Sequence, residues 1–155
     1  MIYKEHKIII FIIAIIAIIA TALLLHHFNM QIDNTIIHNY ASNIITFCSI
    51  TVGFYIAGIS SLLSSKYVEK LNTKDPFIKT QRKIHTVIYY FKYAIYLSLL
   101  TIILAFILIF NNIFNKFIII ILLSFTTTMI VINILFVILI LKLLSDALII
   151  QSKKE

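Results

Sequence analysis

A chain of 155 residues in which 61% are hydrophobic, with two glycines, one proline and a mean hydropathy of +1.05, is not an ordinary soluble domain. Such a domain devotes a large share of its residues to polar or charged surface, so this composition points to the membrane class. A net charge of +7 would suggest nucleic acid for a soluble protein, but on so apolar a chain its distribution counts for more than its sum, and no direct nucleic-acid partner is expected.

The first apolar run, residues 8–25, follows Lys4, Glu5 and Lys7 and carries no charge over about 27 Å of helix. Its basic start and Ala20-Thr21-Ala22 resemble a signal peptide with its cleavage site. Leu23, Leu24 and Leu25 continue the run past that point, so the expectation is an uncleaved first span with a modest small-residue face of Ala14, Ala17 and Thr21. Residues 26–43 are polar and carry His26, His27, Asp33 and His38 but no lysine or arginine, as in a loop outside the membrane. Imidazole and carboxylate suit zinc or nickel. The spacing matches no recognised ligand pattern, and no metal is assigned.

The second span is expected at 44–63. Cys48 within it excludes an internal disulfide and reads as a small buried thiol. Thr46 and Thr51 can bond within their own helix or to a neighbour. Ser49, Gly53, Ala57, Ser61 and Ser65 recur every four positions and therefore share one slowly drifting helix face. Small side chains let two backbones approach closely in lipid, where little hydrophobic force drives helices together. This face, widened by Gly58 and Ser60, should meet a helix of the same chain or, on the sharper reading, another subunit or a pore.

Segment 64–93 carries Lys66, Lys70, Lys74, Lys79, Arg82, Lys83 and Lys92 against Glu69 and Asp75, which places it in the cytoplasm by the positive-inside rule. Asn72-Thr73 supplies a break, and Asp75-Pro76 has the form of an N-cap followed by proline at the first helical position. The expectation is a helical hairpin in which helix 2 extends to about Leu71 and helix 3 begins near Pro76. Lys70, Lys79, Arg82 and Lys83 are its candidate contacts to a partner or to anionic lipid headgroups. Phe77, Ile78, Ile84, Val87, Ile88 and Phe91 form an apolar side that needs covering. Tyr89, Tyr90, Tyr93 and Tyr96 read as an aromatic belt.

The third span is expected at 94–110, with Ser98, Thr101 and Ala105 as its least bulky side. After a short turn the fourth span, 117–141, would be about 37 Å long, more than a ~30 Å hydrocarbon core requires. Thr126 and Asn133 lie seven residues apart on one helix face, with Ser124, Thr127 and Thr128 at the same depth. An amide facing lipid is costly, so Asn133 should point inward or to another subunit, either as polar glue or as part of a narrow gate.

The whole reads as all-α: one four-helix transmembrane domain, 1–155, with helical cytoplasmic extensions of helices 2 and 3. With both termini and the basic hairpin inside, only Lys116 of the thirteen Lys and Arg falls outside, which in a bacterium means a multi-pass inner-membrane protein. No ionisable residue occupies the middle of a span, as a coupled carrier would need, and no catalytic constellation or phosphate loop is present. No enzyme, cofactor or small-molecule substrate is expected.

The run Thr51-Val52-Gly53-Phe54, then Ser60-Ser61-Leu62-Leu63-Ser64-Ser65, Lys70-Leu71 and Tyr90-Phe91-Lys92-Tyr93-Ala94-Ile95 resembles small four-span proteins of bacterial phage-defence loci. In size and plan the chain is similar to the KwaA family, the membrane component of the Kiwa system. The resemblance implies a self-assembling inner-membrane sensor or anchor that works with a cytoplasmic effector. From the residues themselves a non-enzymatic sensor or scaffold, homo-oligomeric in the lipid bilayer, stands beside a pore-forming effector or ion channel.

Overall fold

The computed structural model describes residues 4–27, 33–75 and 82–152. They form five α-helices: α1 (Lys4–His27), α2 (Asn34–Ser64), the short α3 (Tyr67–Leu71), α4 (Lys83–Ile109) and α5 (Lys116–Ser152), with a 3-10 turn at Asn111–Ile113 before α5. No strand occurs among the described residues beyond one isolated bridge between Lys74 and Arg82. The chain is an all-helical membrane protein. Three helices, α2, α4 and α5, are long and apolar enough to cross a membrane, and α1 carries a shorter apolar stretch, Ile8–Thr21.

Helix α2 starts earlier than its apolar run suggests. Asp33 caps it, its carboxylate accepting from the Thr35 N–H at 3.1 Å, and Ile37, Ala41 and Ile44 already follow the helical period and are buried. The expected loop at 26–43 is therefore helix from Asn34 onward, and His38 lies on α2. At its other end α2 stops at Ser64 instead of running to Leu71. Ser65 is extended (φ −85°, ψ 153°), and both its N–H and its hydroxyl turn back to the Leu62 carbonyl, at 3.3 and 2.8 Å. A serine side chain that competes for backbone acceptors offers the chain an exit from the helix. Only α3 then remains of the expected extension.

Helix α4 begins at Lys83, and the start expected near Pro76 lies outside the described residues. Arg82 is extended at its N-cap, and the Lys83 N–H donates to the Thr73 carbonyl at 3.0 Å, which closes the connection. Residues 76–81, which include Lys79, Phe77 and Ile78, lie outside the described residues. Asp75, expected as a cap, instead turns inward. The third helix runs through Ile109 and the last to Ser152, well beyond the expected end of its span at 141.

Helices α2 and α4 form the closest pair, α5 packs on that pair chiefly through α4, and α1 lies against α5. Two apolar clusters sit at opposite ends. One joins Tyr55, Leu62, Leu71, Val87, Tyr90, Phe91, Phe136 and Ile140, with Ile10 and Ala14 of α1 packed against it. The other joins Ile37, Ala41, Ile44, Cys48, Ala105, Leu108 and Ile119. Because the start of α1 and the far half of α5 meet in the first cluster, these two helices run antiparallel. The half-buried positions of α1 include Ile10, Ala14, Ala17 and Thr21, so its small-residue face is the one it turns to the protein.

Candidate functional site: a buried polar clamp and a basic end

Between the two apolar clusters, α2, α4 and α5 each contribute polar side chains to one network. Asn133 of α5 is fully buried. The Ser98 hydroxyl of α4 donates to its Oδ1 at 2.7 Å, and its Nδ2 donates to Thr101 Oγ1 at 3.2 Å. The amide orientation follows from proton supply: Thr101 has already given its hydroxyl proton to the Leu97 carbonyl at 2.7 Å, so it can only accept from Asn133. On the α2 side, the Asn133 amide also approaches Cys48 Sγ at 4.0 Å, and the Tyr55 hydroxyl donates to the Asn133 carbonyl at 3.3 Å. Thr51 donates to the Cys48 carbonyl at 2.9 Å. Through its side-chain amide and its backbone carbonyl, Asn133 thus ties three helices together, each interhelical bond in such a setting contributing on the order of 0.6 kcal/mol.

The inward reading of Asn133 and the small side of Ser98, Thr101 and Ala105 agree with this arrangement: all four are completely or almost completely buried. Sequence reasoning did not single out Tyr55. A tyrosine in mid-span, far from either interface, has to place its hydroxyl inside the protein, and that was the available signal. A second pairing, Tyr40 with Thr127 at 2.6 Å, joins α2 to α5 nearer the opposite end. Thr127 commits its own proton to the Leu123 carbonyl at 2.7 Å, so Tyr40 is the donor. Thr126 and Thr128 bond within their own helix, to the Leu122 and Ser124 carbonyls. Ser124 Oγ is the one buried side-chain polar atom without a partner among the described residues.

Among the described residues nothing packs on most of the small-residue face of α2. Ser49, Gly53, Ala57 and Ser61 are exposed, and Ser65 is half-buried at the helix end. A Cβ on Gly53 would meet nothing within 4 Å, whereas one on Gly58 would stand 3.2 Å from Phe91 and 3.3 Å from Leu144. The close approach of helices is thus at Gly58, and the packing expected along the 49–65 stripe within one chain does not occur. Ser49 and Ser60 donate to the Ile45 and Ile56 carbonyls at 2.7 and 2.9 Å, so these outward hydroxyls expose no unsatisfied donor.

At the Leu62 end of the bundle the basic residues gather. Lys66, Lys70, Lys74, Arg82, Lys92 and Lys142 are exposed and Lys83 is half-buried; Lys79 lies outside the described residues. The described ends of the segment that carries them are bonded to each other and to α4. Arg82 Nη1 donates to Asn72 Oδ1 at 2.6 Å, and the Thr86 hydroxyl donates to Asp75 Oδ2 at 2.7 Å, with both Asp75 and Thr86 only 2% exposed. Burial, and then the Asp146 carboxylate, push the Tyr67 phenol of α3 above its ordinary value. Lys92 lies over the Tyr96 ring at 5.5 Å, and Tyr89, Tyr93 and Tyr96 are exposed along the outer side of α4. Tyr90, read as a belt residue with them, belongs to the core instead, beside Phe91: Tyr90 packs edge-on to Phe136.

Among the described residues no three His, Cys, Asp or Glu side chains converge as metal ligands would. Compared with family models, characterised proteins and solved structures, the chain matches none.

Proposed function

We propose that the chain is a four-span inner-membrane protein of a bacterium, with both termini and the basic end in the cytoplasm, in which α1 supplies the fourth span. It acts as a non-enzymatic, homo-oligomeric sensor or scaffold of anti-phage defence. The basic end engages a cytoplasmic effector protein. The observation that carries this reading is the bonding of the described ends of the basic segment, up to Asp75 and from Arg82 on. Lys70 on α3, Lys74 and Arg82 are exposed there, and the Asp75–Thr86 and Arg82–Asn72 contacts hold these ends. A charged surface held in shape suits protein recognition better than a slack loop does. The clamp around Asn133 supports a scaffold role, since its hydrogen bonds are made inside the protein.

The exposed Ser49, Gly53, Ala57 and Ser61 support assembly through α2. The same row of small residues, with the hydroxyls of Ser49 and Ser61, favours a second reading, a pore-forming effector or ion channel in which an oligomer turns that face to its axis. Replacing Lys79, Arg82 and Lys83 with glutamate separates the two. The sensor reading expects effector recruitment and protection to be lost while assembly persists. Robust single-channel currents from purified protein, unchanged by those substitutions, would make the channel the better reading. Orientation is tested with single cysteines in intact cells: one at Asn112 should react with an impermeant maleimide and one at Lys70 should not.

A further inference from the structure

A cavity of about 140 Å³ lies between α4 and α5, lined by Thr86, Val87, Tyr90, Phe91, Leu139, Ile140 and Leu143. Its walls are almost wholly apolar. A void of this size with such walls stays dry and accepts a hydrocarbon guest about as large as benzene. The hydroxyl of Thr86 is already given to Asp75, so it does not call for water there. Within a close-packed bundle an unfilled space of this volume forfeits dispersion contacts, and in a bilayer the guest at hand is a lipid chain.

The setting of the cavity says which lipid. Lys83 precedes Thr86, Val87 and Tyr90 by three, four and seven residues, so it stands on the cavity's face of α4, one turn beyond it toward the helix start. Lys142 adjoins Leu143 and lies three residues past Leu139 on α5. Lys83 is half-buried and Lys142 exposed. Among the described residues neither is in an ion pair. The nearer carboxylate, Asp75, is buried and bonded to Thr86, and Asp146 is exposed beside α3. Long lysine side chains at span ends reach toward the headgroup layer. An apolar cavity with two such lysines next to its lining positions by helical register matches a molecule with a hydrocarbon tail and an anionic head.

We infer that this cavity seats part of an acyl chain of one anionic phospholipid, whose phosphate is held by Lys83 and Lys142. The site shares Lys83 with the effector surface proposed above, and Lys142, Val87 and Leu143 belong to the lipid site alone. It would let the protein read the lipid surface around it.

The test uses the full-length protein, stripped of lipid in mild detergent and titrated with phosphatidylglycerol or with phosphatidylcholine of the same acyl chains, followed by native mass spectrometry. One phosphatidylglycerol per protomer should be retained in preference to phosphatidylcholine, with each of Lys83→Glu and Lys142→Glu lowering that preference about fivefold or more. Val87→Phe, and separately Leu143→Phe, should fill the cavity and remove the tight site for both lipids, with helix content by circular dichroism unchanged. Two independent filling variants keep the result readable if one of them fails to fold. Equal retention of the two lipids, or retention untouched by either filling variant, would overturn the proposal. Loss of effector recruitment in Arg82→Glu bears only on the effector reading, and altered lipid retention in Lys142→Glu, Val87→Phe or Leu143→Phe bears only on the lipid site, because Lys83 is what the two share.

Discussion

The two faces of α2 carry similar residues and do opposite things. On one, Ala41, Cys48, Thr51, Tyr55 and Gly58 are buried against α4 and α5; on the other, Ser49, Gly53, Ala57 and Ser61 are exposed. The two glycines mark the difference: Gly58 lets Phe91 and Leu144 close on the helix, and Gly53 has nothing near it. Small residues permit close packing in lipid but do not command it. What decides which face is used inside one chain is the presence of complementary groups on the partners. The inner face meets the hydroxyls of Ser98 and Thr101 and the amide of Asn133, and the outer face has no such counterpart within the described residues.

That contrast can be broken most sharply at Gly58. Gly58→Leu has to displace the Phe91 ring and Leu144, and a loss of about 3 kcal/mol is expected, read as the midpoint shift in denaturing-detergent unfolding. Asn133→Leu comes next, because Ser98 loses its acceptor and Thr101 its donor, while the backbone carbonyl that Tyr55 uses is kept. It should destabilise by roughly 1–2 kcal/mol in the same assay. Tyr40→Phe removes a single interhelical bond to Thr127, and about 0.6 kcal/mol is expected.

The smallest effect on the protomer belongs to the outer face. Gly53→Leu should leave unfolding unchanged within about 0.5 kcal/mol, since Gly53 is exposed and a Cβ there meets none of the described atoms within 4 Å. Its consequence should appear instead as a lower oligomer mass by mass photometry, while Ile56→Leu leaves the mass alone. A Gly53→Leu protomer that unfolds as readily as the Gly58→Leu one would show that the two faces are not distinct.

The basic end repeats the lesson in loop form. The clustering of lysines at 66–92 was legible in the sequence, and so was the helical tendency on either side of it. The break at Ser65 and the late start of α4 were not, because propensity does not register a side chain that takes the Leu62 carbonyl or a carboxylate turned in toward Thr86. Asp75 illustrates the point best. Before proline it reads as a cap, yet a hydroxyl eleven residues later competes for the same oxygens, and only the fold brings the two within 2.7 Å.

By itself the sequence determined that this is an all-helical membrane protein, where its apolar runs fall, and that Asn133 must turn away from lipid. Those conclusions depend on local composition and on the cost of an unpaired polar group in hydrocarbon, which any single segment reveals. Only the tertiary structure decided that α2 turns Gly58 rather than Gly53 to its neighbours, that Tyr55 reaches the Asn133 carbonyl, and that a cavity stays open between α4 and α5. The physical reason is common to all three. Helix packing is chosen by the fit of several side chains at once across residues far apart in the chain, and helical period alone assigns a face without naming what it meets.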